Sequence, residues 1–194
     1  QWYTDTYADG FLVASNDGGV SFYSFPTSDL DFVVNFSNRP NKTEVFGTDW
    51  VWNVGGLYGS DYYAQSFIAL DSYVVDAGIW IENGTKLTPD FKVQVWGNNA
   101  TTSDHPDKSK VLASSRLLKG TEINATRGQR FFVNPNVSIP VVKGEKYWLV
   151  IDGTWGNTTD GWAGSRGAID DTFTDGEFLY CNDYAGKVWY TWST

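Results

Sequence analysis

The sequence predicts an all-β fold arranged as a β-sandwich. Two observations carry that expectation. No window holds a sustained helical apolar period, whereas short apolar runs and period-two alternation recur along the chain. Twenty Gly and the clusters Asn16-Asp17-Gly18-Gly19, Asn83-Gly84 and Asp175-Gly176 break those runs at short intervals. Many short strands separated by such turns suit two sheets packed face to face. In chain order, the first expected strands are 11–15 and 20–25, on either side of the Asn-Asp-Gly-Gly turn, then the apolar run 32–36 and residues 48–52. Strands 62–69 and 73–82 follow, the second ending at Asn83-Gly84. In 91–96, Phe91, Val93 and Val95 alternate with Lys92, Gln94 and Trp96, which predicts a half-buried strand with one wetter face. Strands 111–118, 129–133 and 137–142 lead to 146–152, where Tyr147, Leu149 and Ile151 alternate with Trp148 and Val150. Apolar residues on both phases predict a strand buried on both sides. Strands 177–182 and 187–192 close the chain.

Composition narrows the function. The 194 residues suffice for one large domain, or a domain plus an arm, with a core that needs no disulfides. An aromatic share of 17% excludes a disordered chain. The net charge of −9 argues against nucleic acid and anionic membrane as partners. No apolar run approaches the roughly 18 residues of a membrane span. The chain lacks Met and opens Gln1-Trp2-Tyr3, which reads as a processed chain whose signal peptide has been removed. A single Cys, Cys181, excludes a disulfide scaffold within the chain and reads as a buried thiol in an apolar strand.

Seven Asn-X-Ser/Thr acceptors stand at Asn35, Asn41, Asn83, Asn99, Asn124, Asn136 and Asn157. The Asn and Ser/Thr content would give about two by chance. The excess points to a densely N-glycosylated extracellular or cell-surface protein. Asn83, Asn99 and Asn157 lie in turn-like stretches from which a glycan reaches solvent, whereas Asn35 follows an apolar run.

Catalytic sets are sparse. A Ser-His-Asp triad would need His105, which sits in the polar stretch Ser103-Asp104-His105-Pro106-Asp107-Lys108 and reads as an exposed turn. Neither a phosphate-binding Gly-Lys-Ser/Thr loop nor a G-x-S-x-G elbow occurs. Asp152, Asp160, Asp170, Asp171, Asp175 and Glu177 are the carboxylates a glycosidase pair would draw on, but acid-rich turns are ordinarily solvated surface. The expectation is a protein that is not an enzyme and needs no cofactor. Asp171, Asp175 and Glu177, around a Gly turn, suit a structural calcium ion, although the spacing departs from an EF-hand loop. Trp155 and Trp162, in the Gly-rich stretch 152–162, form a candidate platform for stacking on a sugar ring.

A boundary falls near Gly55-Gly56, dividing residues 1–55 from 56–194. From about residue 58 to 192 the chain resembles the jelly-roll modules of secreted bacterial and archaeal surface proteins. The matching pieces are Ala64-Gln65-Ser66-Phe67, the runs 74–80 and 91–96, Val111-Leu112-Ala113, and Val141 to Val150 across Gly144. The resemblance implies a jelly-roll sandwich in which the last of these strands closes the core. Such modules bind, anchor and build alike. Residues 1–55 form a β-rich arm bearing Trp2, Tyr3, Tyr7, Phe11, Leu12 and Val13, too apolar to stay free. It either adds strands to its own sandwich or enters a neighbouring subunit as a donated strand, an assembly logic similar to that of donor-strand pilins. Head-to-tail donation propagates into a fibre. The expected function is a structural subunit of an extracellular glycosylated fibre or cell-surface layer, a homopolymer joined through its N-terminal strand. The competing expectation is a carbohydrate-binding module or adhesin domain.

Overall fold

Two antiparallel sheets carry the chain in a computed structural model that describes residues 12–15, 19, 21–25, 29–30, 32–37, 42–45, 62–83, 90–99, 101, 105–123, 129–133, 138–155, 163–164, 167–168, 180–181 and 189–190. The strands are β1 (Leu12–Ser15), β2 (Tyr23–Phe25), β3 (Asp29–Leu30), β4 (Phe32–Phe36), β5 (Lys42–Val45), β6 (Tyr62–Ile68), β7 (Tyr73–Asn83) and β8 (Lys92–Asn99). They continue with β9 (His105–Ser114), β10 (Gln129–Phe132), β11 (Ile139–Pro140), β12 (Lys146–Asp152), β13 (Ala163–Gly164), β14 (Gly167–Ala168), β15 (Tyr180–Cys181) and β16 (Trp189–Tyr190). A six-stranded sheet runs β2-β1-β6-β12-β8-β9, and a second runs β10-β7-β4-β5 with β11 and β13 also on β7. Strands β14 and β3, and β15 and β16, form two small pairs. Among the described residues no helix is long and apolar enough to cross a membrane.

The sheets meet through alternate side chains. Tyr63, Phe67, Val93, Val95, Leu149 and Ile151 of the first sheet share one buried cluster with Phe32, Val34, Phe36, Ala77, Ile79 and Ile81 of the second. Period-two alternation sends these residues inward and their neighbours outward. Edge-on aromatic pairs help fill the core, with Phe36 and Phe67 centroids 6.3 Å apart and Phe91 and Phe131 5.2 Å apart. The fold is therefore the all-β sandwich expected.

The first sheet is buried on its other face as well. Val13, Phe22, Tyr62, Ala64, Trp96, Trp148 and Val150 form a second apolar cluster there. Strand β12 supplies both clusters, as its two-phase apolar pattern predicts. Strand β8 does not keep the wetter face expected of it. Trp96 packs against Tyr62 at 5.3 Å and edge-on against Phe22 at 6.4 Å, and its indole N–H donates to Gln94 Oε1 at 2.9 Å. Gln94 Nε2 in turn donates to Ser114 Oγ at 3.1 Å. A Lys-Gln-Trp phase looked wet by residue type, but paired polar groups let it go under cover.

The described strands of the first 55 residues enter both sheets. β1 pairs with β6 and β2, whereas β4 pairs with β7 and β5. Val13 lies in the outer cluster and Phe32, Val34 and Phe36 lie in the central one, so these strands share the cores of the residues beyond the expected boundary. The segment expected as strand 111–118 begins earlier, at His105, and ends at Ser114. β9 pairs with β8 through register shifts near Trp96, which lets the polar start of the strand continue the ladder. His105 is consequently a half-buried strand residue whose ring lies 6.2 Å from Phe22, not an exposed turn. The expected strand 48–52 lies outside the described residues.

Gly78 marks close packing on the outer face of the second sheet. A Cβ there would stand 2.7 Å from Cδ1 of Phe132 on neighbouring β10, so the position admits no side chain unless that ring moves.

Phe67 is fully buried at the contact between the sheets. Replacing it with Ala removes a large aromatic from a packed site, so Phe67→Ala is expected to destabilise the fold by about 3–5 kcal/mol in chemical denaturation. An electrostatic prediction concerns Glu122, which accepts hydrogen bonds from Arg116 and from the Lys119 backbone N–H. The Arg116 guanidinium first, and the Lys119 amide second, lower its pKa to about 2. A depressed carboxylate contributes stability above its unfolded value of about 4.3, and that contribution is lost as pH falls through the folded value. The difference in melting temperature between wild type and Glu122→Gln should hold steady above pH 5 and shrink toward zero near pH 2.

Candidate functional site

Two features of the first sheet's outer face draw together the sequence candidates. One lies where β12 ends. Asp152 is 5% exposed, and its two carboxylate oxygens are fully engaged by the turn that follows. Oδ1 accepts from the Thr154 backbone N–H at 3.0 Å and from Thr154 Oγ1 at 2.6 Å. Oδ2 accepts from Trp155 Nε1 at 2.9 Å. An Asp that binds the backbone two residues on is a turn former, which is why the strand stops here. Lys92, directly across the ladder from Asp152, sets its ammonium 3.9 Å from the centroid of the Trp155 ring. Trp155 is thereby held at its N–H edge and over one face, yet it stays 50% exposed. A fixed, half-exposed indole beside polar groups can stack on a flat ligand surface.

This geometry assigns Asp152 to positioning rather than proton transfer, since three donors occupy it. Sequence reasoning placed Asp152 among loose loop acids and missed its partnership with Lys92. The Asp-x-Thr-Trp spacing signals the turn, but the cross-strand lysine follows only from register. Trp162, the other residue of the expected platform, lies outside the described residues. So do Asp160, Asp170, Asp171, Asp175 and Glu177, including the expected calcium ligands.

The second feature is the seat of the N-terminal strand. β1 is not an edge: it runs between β2 and β6, with Val13 opposite Ala64 and Ser24. Val13 is completely buried in the outer cluster beside Tyr62, Ala64, Trp148 and Val150. The Trp148 indole N–H donates to Asn98 Oδ1 at 2.9 Å, and the Lys108 ammonium lies 5.1 Å from the Tyr62 ring centroid. Gly19, in the β1–β2 connection, has φ +82 and lies where a Cβ would stand 3.1 Å from the Lys108 side chain. That backbone conformation favours glycine, so this connection demands the Gly that the sequence supplies. Of the residues expected at the subunit contact, Leu12 and Val13 lie in β1, whereas Trp2, Tyr3, Tyr7 and Phe11 fall outside the described residues.

Of the glycan acceptors, Asn99 closes β8, and its Oδ1 accepts hydrogen bonds from the backbone N–H of Thr101 at 3.3 Å and from Thr101 Oγ1 at 2.8 Å. Its own hydroxyl partner is thus turned onto the carboxamide. Asn35 lies within β4, and there Ser37 Oγ donates to Asp71 Oδ2 at 2.7 Å instead. Asn83 ends β7, while Asn41, Asn124, Asn136 and Asn157 are outside the described residues.

The Asp152 lock is testable through the Trp155 indole proton. In Asp152→Ala, hydrogen exchange at Trp155 Nε1 should accelerate about tenfold or more, the effect of losing one charge-assisted hydrogen bond. An unchanged exchange rate by NMR would show that Asp152 does not hold the ring.

No family model matches the chain, and no curated protein or solved structure is significantly similar to it.

Proposed function

We propose that this chain is a structural subunit of an extracellular, N-glycosylated fibre or cell-surface layer, joined head to tail through its N-terminal strand. The observation that carries the reading is the interior position of β1, with Val13 fully buried. β1 and β2 form a hairpin whose ladder to the rest of the sheet runs through β6. Immediately afterwards the chain passes to β3 and then to β4 in the other sheet. A hairpin attached along one edge, followed by a crossover, is a unit that a neighbouring copy can supply with the same hydrogen bonds and the same apolar contacts. The edge of β6 that faces away from β12 is the groove such a strand fills. The jelly-roll likeness of residues 58–192 supports the same reading, because modules of that kind build surface assemblies. The excess of glycan acceptors supports an extracellular setting, and the Asn99–Thr101 bond shows one acceptor in a hydrogen-bonded turn at the end of a strand.

A second reading has one specific observation behind it. The locked, half-exposed Trp155 suits a carbohydrate-binding module or adhesin domain.

Removing residues 1–15 separates the two. The full chain should polymerise, and the truncated chain, its outer cluster left incomplete, should form no regular filaments by electron microscopy and should regain β-structure by circular dichroism and subunit mass by light scattering when a peptide of residues 1–15 is supplied. A synthetic peptide of residues 1–15, added in excess to the full chain, should shorten the polymers by occupying the groove. Polymers that persist in the truncated chain would remove the strand as connector. A full chain that stays monodisperse and binds glycans through Trp155 would put the second reading first.

A further inference from the structure

Lys92 stands apart from the other cations along this end of the first sheet. Lys110 pairs with Asp107 at 3.0 Å, Lys119 pairs with Asp90 at 2.6 Å, and Arg116 pairs with Glu122. Lys92 forms no such ion pair among the described residues, although the chain carries 23 acids against 14 bases. An acid is close at hand, because Asp152 is its direct cross-strand partner and shares its face of the sheet. Both Asp152 oxygens are instead engaged by Thr154 and by the Trp155 indole N–H. The acid thus orients the ring rather than neutralising the lysine, and the Lys92 ammonium stands 3.9 Å from the ring centroid.

Two recognition elements therefore lie side by side. An ammonium carries three N–H donors, and an indole face cannot engage them all, so donors remain that point away from the ring. The indole is fixed at its N–H edge yet 50% exposed, so a ligand that uses it has little ordering to impose. An ammonium covers only part of the face of a fused two-ring system. A pyranose stacked on the remainder, through its apolar C–H face, lies at a similar height above the indole as the ammonium does. A carboxylate at the edge of that sugar ring then meets Nζ side on. Asp152 presents little opposing charge to such a ligand, since it is 5% exposed and already accepts from three donors.

We infer that Lys92 and Trp155 form a subsite for a carboxylated sugar, a uronic-acid residue whose ring stacks on the indole and whose carboxylate accepts hydrogen bonds from Nζ. The inference rests on the carbohydrate-binding reading of Trp155 and narrows it to acidic glycans. A neutral sugar stacks on the same ring but leaves the ammonium without an anion. An acidic one engages both groups, and the charge-assisted hydrogen bond supplies the discrimination.

Isothermal titration calorimetry of the full chain with trisaccharides of galacturonate, glucuronate and mannuronate, each beside its methyl ester, tests this. The ester keeps the sugar ring and removes the charge. At least one acid should bind, and its ester should bind about tenfold or more weakly, the effect of losing one charge-assisted hydrogen bond. Lys92→Gln should lower the affinity for the acid to that for the ester, whereas Lys92→Arg should retain the preference. Trp155→Ala should lose acid and ester together. Equal binding of acid and ester, or a preference for the acid that survives Lys92→Gln, would overturn the inference and leave the sugar-binding reading standing. Binding of none of these ligands would overturn both.

Discussion

Burial of the six-stranded sheet on both faces is the constraint from which the rest of this structure follows. Strand β12 sits near its middle and carries apolar residues on both phases: Leu149 and Ile151 point into the sandwich, and Trp148 and Val150 point away from it. Opposing the second sheet buries one phase alone. The other phase gathers into a second apolar cluster, which Val13 of β1 extends within the same sheet and to which Phe22, beside β2, adds its ring against Trp96. At about 25 cal/mol per Å² of apolar surface, two indoles left open on one face would cost several kcal/mol and invite aggregation. The N-terminal strands are therefore not an appendage. They help complete a sheet that its remaining strands leave half dressed, which is why the origin of the completing strand, from this copy or the next, becomes the functional question.

Among the described residues, the carboxylates with hydrogen-bond partners stand at the ends and edges of this layered plan. Where β12 leaves the sheet, Asp152 is fully occupied in shaping the turn and holding Trp155. Where β9 forms the far edge, Asp107 is held below its ordinary range by the Ser109 hydroxyl and Lys110. Asp76 is the exception, being sheltered within a sheet and pushed the other way. Among the described carboxylates, Asp76 is the one with a buried oxygen that lacks a hydrogen-bond partner.

Much of the fold was legible because it rests on alternation. The run 146–152 announced a strand buried on both sides, and β4 and β12 occupy the ranges that their patterns predicted. What alternation could not reveal was the effect of a neighbouring strand. Gln94 and Trp96 looked half wet, but a hydrogen bond between them and the ring of Phe22 bury that phase. His105 looked like a turn residue because its neighbours are polar, yet pairing with Asn99 makes it the first residue of β9. The candidate sites divide in the same way. Trp155 was recognisable from its Gly-rich setting, and glycan acceptors are recognisable by definition. Lys92 under Trp155 arises from register between segments remote in sequence.

The central claim is that the outer cluster of the first sheet is completed by an N-terminal strand exchanged between copies. Electron microscopy of the native, unheated sample at side-chain resolution tests it most directly. The account predicts filaments with a regular axial repeat, in which the strand seated against β6 traces to the next subunit along the axis. Isolated single-subunit particles, or filaments in which every β1 returns to its own β6, would contradict it.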